Sequence, residues 1–129
     1  MSAYTKRNLM EVEDSAAKFG FGEVGEARFP NSDLETEQTG LSFHRVRPSR
    51  RQAFGHKHEE VEEVYVVVRG AGRMKLDDEV IDVTELDAIR VAPGVVRAFE
   101  AGPDGLDVLA VSPRRPDDRG EMLPGWWDE

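Results

Sequence analysis

Between residues 41 and 112 the sequence is a succession of short apolar runs, each cut off by turn-forming residues. "LSFHRV" (41–46) alternates and stops at Arg47-Pro48. "VYVVVRG" (64–70) is a dense β-branched run bounded by Gly70-Ala71-Gly72. "RMKL" (73–76) and "EVIDV" (79–83) flank Asp77-Asp78, the composition of a tight hairpin turn. "AIRVA" (88–92) ends at Pro93-Gly94, "VRAFEA" (96–101) at the turn signal "GPDG" (102–105), and "LDVLAVS" (106–112) at Pro113. β-Branched runs of this length, regularly interrupted, predict strands; about seven of them predict an all-β barrel or sandwich.

The flanks are less patterned. Residues 1–40 read as an irregular N-terminal arm of the same domain. Val12 to Phe19 suits a short helix stopped by Gly20 and Gly22. Ser32-Asp33-Leu34-Glu35 has capping-box spacing, yet no apolar helix follows. Residues 113–129 form a polar C-terminal tail until Leu123, closing with Trp126 and Trp127. Adjacent tryptophans are expected to pack on the chain's own barrel, with a subunit contact as the alternative.

With 129 residues the chain suffices for one domain with a core. Its formal net charge of -9 argues against tracking nucleic-acid phosphates or docking on anionic membranes. It has no cysteine, so disulfides, zinc-thiolate sites and thiol nucleophiles are excluded. No signal-peptide pattern and no long apolar span is present, so the expected address is the cytoplasm. Neither a phosphate-binding glycine loop nor a G-x-S-x-G nucleophile motif appears.

The stretch that carries chemistry is "HKHEEVEEVYVVVRG" (56–70). In an extended strand, residues two apart project to one face, so His56 and His58 aim both imidazoles at one point. Two histidines and a carboxylate compose a mononuclear metal site for iron, manganese, nickel or zinc. Glu59 and Glu60 stand too close to His58 to fold back easily. Glu63 shares a face with Tyr65 and Val67, and Glu62 with Val64 and Val66. Strand parity does not choose between them.

His56-x-His58, four residues, Glu63, six residues and Gly70 together resemble the first motif of the cupin superfamily. Only Glu63 gives the six-residue gap to Gly70. Arg50 stands where the motif begins with glycine. "LDAIRVAPGVVRAFEA" (86–101) resembles a worn second motif: Leu86 replaces the glycine, Ala92 the proline, Arg97 the histidine and Ala101 the asparagine, while Gly94 remains. The resemblance spans roughly residues 41–112. It implies a single-domain double-stranded β-helix, or jelly-roll, barrel around a pocket, commonly as a homodimer. It also implies a divalent metal held by His56, His58 and Glu63, with Arg97 at the position of the last histidine ligand.

Arginine stays protonated and cannot coordinate a metal. Two readings follow. In the first, three ligands hold the metal and Arg97 orients an anionic small-molecule substrate, with Tyr65 and His44 as further contacts; dioxygenation, isomerisation or decarboxylation would then be the chemistry. His44, on the preceding strand, is also a candidate replacement ligand, against the plainer reading of a hydrogen-bonded or surface histidine. In the second, no metal binds, Arg97 pairs with Glu63 or an anion, and the barrel is a non-catalytic binding or sensor module. An interaction module built on Trp126 and Trp127 is a third expectation.

Overall fold

The computed structural model describes residues 3–127. Eight strands follow a short, mostly irregular arm: β1 (Gly25–Arg28), β2 (Thr39–Val46), β3 (Phe54–Lys57), β4 (Glu63–Leu76), β5 (Glu79–Thr84), β6 (Ala88–Val91), β7 (Arg97–Pro113) and β8 (Glu121–Pro124). Two single-turn helices, α1 (Ser15–Lys18) and α2 (Asn31–Leu34), lie in the arm. Among the described residues no helix is long and apolar enough to cross a membrane.

The frame is the antiparallel pair β4–β7. It runs from Val64 opposite Val111 to Leu76 opposite Arg97. β2 lies along the second half of β7, from Thr39 opposite Pro113 to Val46 opposite Leu106. β5 and β6 return onto β4, so one strongly curled sheet wraps the core. Tyr65, Val67, Met74, Phe99, Leu106 and Val108 fill it, each at most 2% exposed. Removing such side chains from water is the main favourable term of the fold.

Four of the expected runs fuse into two long bent strands. "VYVVVRG" and "RMKL" are both parts of β4, and "VRAFEA" and "LDVLAVS" are both parts of β7. Gly70-Ala71-Gly72 and "GPDG" are therefore not chain reversals. The β4–β7 register shifts between Val67 and Arg69 and again between Gly70 and Gly72. Glycine lets the paired strands bend together around the barrel corner without losing their ladder. At that corner Gly70 has a φ of 84°, and a Cβ there would lie 2.1 Å from the Gly105 carbonyl oxygen. By contrast, Asp77-Asp78 is a two-residue hairpin, with Leu76 paired to Glu79.

The helix expected over 12–19 is one turn only. Asp14 caps it, accepting the Ala16 N–H at 3.0 Å, and the same oxygen accepts the Ala27 N–H at 3.0 Å. The cap thus ties the turn to β1, and Gly20, at φ 87°, ends it. The capping-box reading at Ser32 fails because α2 starts one residue earlier, after Pro30, with no side-chain cap.

The C-terminal segment packs on its own barrel. β8 pairs with β3, setting Leu123 opposite Gly55. The Trp126 indole covers Gly55 so closely that a Cβ there would lie 2.5 Å from the ring. Lys75 sits 4.5 Å above that ring and donates to the Trp126 carbonyl at 2.7 Å. Trp127 is 8% exposed, under the Arg51 guanidinium.

Candidate functional site

One end of the barrel opens into a cavity of about 1050 Å³. His44, His56, His58, Glu63, Tyr65 and Arg97 all border it. β3 supplies His56, and His58 follows that strand. Glu63 opens β4, Tyr65 comes two residues later on the same face, and Arg97 opens β7 directly across from His56.

The parity question at Glu62 and Glu63 is decided by the curl of β4. Glu63, Tyr65 and Val67 are buried, whereas Glu62 is exposed and pairs with Arg90 at 3.4 Å. Ligand atoms of His56, His58 and Glu63 lie within 4.8 Å of one another. The two imidazole rings stand edge to face, 5.4 Å apart. His44 lies outside that group, with its Nε2 2.9 Å from the Ser42 hydroxyl.

Arg97 is completely buried. Its Nη2 donates to Glu63 Oε1 at 2.9 Å, its Nε to the Tyr65 hydroxyl oxygen at 3.1 Å, and its Nη1 to the Val95 carbonyl at 2.9 Å. The Tyr65 hydroxyl donates in turn to Glu63 Oε1. His56 Nε2 stands 3.4 Å from the Tyr65 oxygen and 3.7 Å from Glu63 Oε1. A single carboxylate oxygen is thus the hub for a guanidinium, a phenol and an imidazole.

Electrostatics follow from that hub. Burial alone would raise the Glu63 carboxyl, but hydrogen bonds from His56, Tyr65 and Arg97 and the guanidinium charge hold it well below the usual carboxylate range. Tyr65 is pushed up, first by burial and then by the Glu63 charge. His44 is lowered to about 4, first by burial and then by His56, with Glu63 opposing.

His58 has a partner that sequence reasoning missed. Its Nδ1 faces the Asp118 carbonyl oxygen at 2.9 Å. A carbonyl only accepts, so Nδ1 carries a proton there. The Asp118 carboxylate accepts the N–H groups of Glu59, Glu60 and Val61 at 3.1, 2.8 and 2.9 Å. Burial would raise Asp118, but those three N–H groups and His58 bring it down to about 2. One residue of the C-terminal segment thereby fixes the loop after His58 and the histidine's tautomer. No local pattern announces it, because the contact joins positions 60 residues apart.

The donor set has the composition for three bonds to a metal, but its charge does not suit one. The buried guanidinium already neutralises the only carboxylate of the group. A divalent ion would therefore sit uncompensated beside a fixed cation where water screens poorly.

No family model matches the sequence, and no curated protein matches it. Solved structures do match the fold. A cupin protein from Bacteroides fragilis is 20% identical, with a TM-score of 0.72 over 94% of this chain and 92% of that one. A sugar phosphate isomerase of the cupin superfamily from Silicibacter pomeroyi is 18% identical, with a TM-score of 0.69 over 87% and 77%. Oxalate decarboxylase from Bacillus subtilis is 22% identical, with a TM-score of 0.65 over 77% of this chain and 28% of that one. An isomerase and a decarboxylase on one architecture show that the fold does not select the reaction. The curled sheet, the β4–β7 frame and these likenesses agree that this chain has the cupin fold, a double-stranded β-helix barrel.

Proposed function

We propose that the protein is a small-molecule-binding cupin that works without a metal, with Arg97 as the permanent counter-ion of Glu63. The observation that carries this reading is the burial of Arg97 with all three of its nitrogens engaged, one of them on Glu63 at 2.9 Å. A carboxylate held this far below its ordinary range is a weak base, so Glu63 is suited to structure rather than to proton abstraction. The cavity, at about 1050 Å³, has the size of a site for a small organic ligand. His56 and His58 are among the polar side chains that line it.

A second reading keeps a mononuclear divalent metal on His56, His58 and Glu63, and with it dioxygenase, isomerase or decarboxylase chemistry on a small anion. The 4.8 Å clustering of the three ligand atoms favours it. Elemental analysis separates the two. The untagged protein is measured as purified, after loading with iron(II), manganese, nickel or zinc, and again as His56→Ala. No stoichiometric metal under any loading is the expected result. About one metal per chain, lost in the variant, would overturn the metal-free reading in favour of the enzyme.

A further inference from the structure

The charges around the cavity do not follow the charge of the chain. In a protein of formal net charge -9, the described residues of the lining include five arginines, Arg45, Arg97, Arg114, Arg115 and Arg119, against three carboxylates, Glu26, Glu63 and Asp118. Each carboxylate is already engaged. Glu63 belongs to Arg97 at 2.9 Å, Glu26 lies 2.6 Å from Arg28 and 3.1 Å from Arg45, and Asp118 holds three backbone N–H groups. Arg45 also meets Asp107 at 3.0 Å, so it is committed as well.

The remaining cations come from one segment, the residues after β7. Arg114 donates to the Thr36 carbonyl and meets no carboxylate among the described residues. Arg115 has only a 3.9 Å approach to Glu60, with both side chains more than half exposed. Arg119 has no hydrogen bond or ion pair to any described residue. The same cavity is also lined by apolar side chains. Phe21 and Phe54 meet edge to face at 5.2 Å, and Phe29, itself 53% exposed, stacks edge-on against His44 at 5.8 Å. Met122 borders the same space at 62% exposure. Exposed apolar side chains gathered around a cavity mark a surface that a ligand covers.

We propose that the cavity takes an amphipathic organic anion, its apolar body against Phe21, Phe29 and Phe54 and its acidic head against Arg115 and Arg119. Guanidinium groups favour carboxylate-type oxygens through their paired N–H donors, and the aromatic walls favour a ring or an alkyl chain over a compact polar acid. Arg97, fully engaged inside the barrel, takes no part in holding the head. This inference rests on reading the cavity as a small-molecule site and does not depend on the absence of metal.

The test uses four probes, three of them sharing one body: phenylbutyrate, phenylbutanol, phenylbutylamine and, for the head alone, acetate. Affinities are measured by saturation-transfer NMR and calorimetry on the full chain. The expected order is acid above alcohol above amine, with acetate weaker than phenylbutyrate. In Arg115→Glu/Arg119→Glu, two exposed positions, phenylbutyrate should weaken by about tenfold or more and the amine should gain, with the melting temperature unchanged. Equal binding of acid and alcohol, no loss on charge reversal, or binding by none of the probes overturns the inference. The metal assay reports separately. Metal uptake with the acid preference intact would remove the metal-free reading and leave this one standing.

Discussion

Replacing Arg97 by methionine keeps most of the side-chain volume and removes the charge. Its partner stays behind: Glu63 is 7% exposed and loses the guanidinium donor at 2.9 Å, while the Tyr65 hydroxyl loses its donor at 3.1 Å. Breaking a buried ion pair by deleting one member costs about 3–5 kcal/mol. In a domain of this size that lowers the melting temperature by roughly 10–20 °C. The pH profile gives a second reading of the same physics. In the parent, the Glu63 carboxyl lies below its ordinary value of 4.5, so its stabilisation is complete above that value and is lost only as pH falls through the lower folded value. In Arg97→Met, burial is opposed by the His56 and Tyr65 hydrogen bonds alone, without the guanidinium's hydrogen bond and charge, and the carboxyl moves up. Stability should then be lost as pH rises through the raised folded value and recovered as pH falls below it. The gap between parent and variant, measured by urea unfolding between neutral pH and about pH 4, should narrow as pH falls. Arg97→Met/Glu63→Met should be more stable than the sum of the single variants predicts. A single variant within about 1 kcal/mol of the parent, or a gap that widens in acid, would refute the ion-pair account.

Two further outcomes follow from the same geometry. His44 should titrate by NMR with a midpoint near 4, because it sits in the cavity wall beside His56; its stabilising contribution is complete above its ordinary value of 6.5 and fades as pH falls toward 4, and a midpoint near 6.5 would contradict its placement. Asp118→Ala should speed amide hydrogen exchange at Glu59, Glu60 and Val61 and leave the β4–β7 ladder protected, since its carboxylate holds those three N–H groups; unchanged exchange at all three would show that the loop is fixed by other contacts.

The strand pattern and the spacing from His56 to Gly70 were legible in the sequence because both rest on a local period. Side chains two apart share a face wherever the backbone is extended, so "VEEVYVVV" already put Glu63, Tyr65 and Val67 on one face, while which face is buried was left to the curl of β4. Breaks in that pattern were misread for the same reason. Gly70-Ala71-Gly72 and "GPDG" are good turn sequences locally, and only their mutual contact, Gly70 against Gly105, makes them one corner of a continuous pair.

What the sequence determined alone is the β-rich frame, the pairing of His56 with His58 on one face, and the presence of an arginine where the cupin pattern carries a ligand. Tertiary structure decided which way that arginine points and whom it meets. It also brought Asp118 under His58 and set Arg115 and Arg119 around the same cavity as the phenylalanines of β3 and the arm. Those contacts join residues tens of positions apart. Strand pairing and barrel closure create them, and a local sequence period cannot encode where two distant strands will cross.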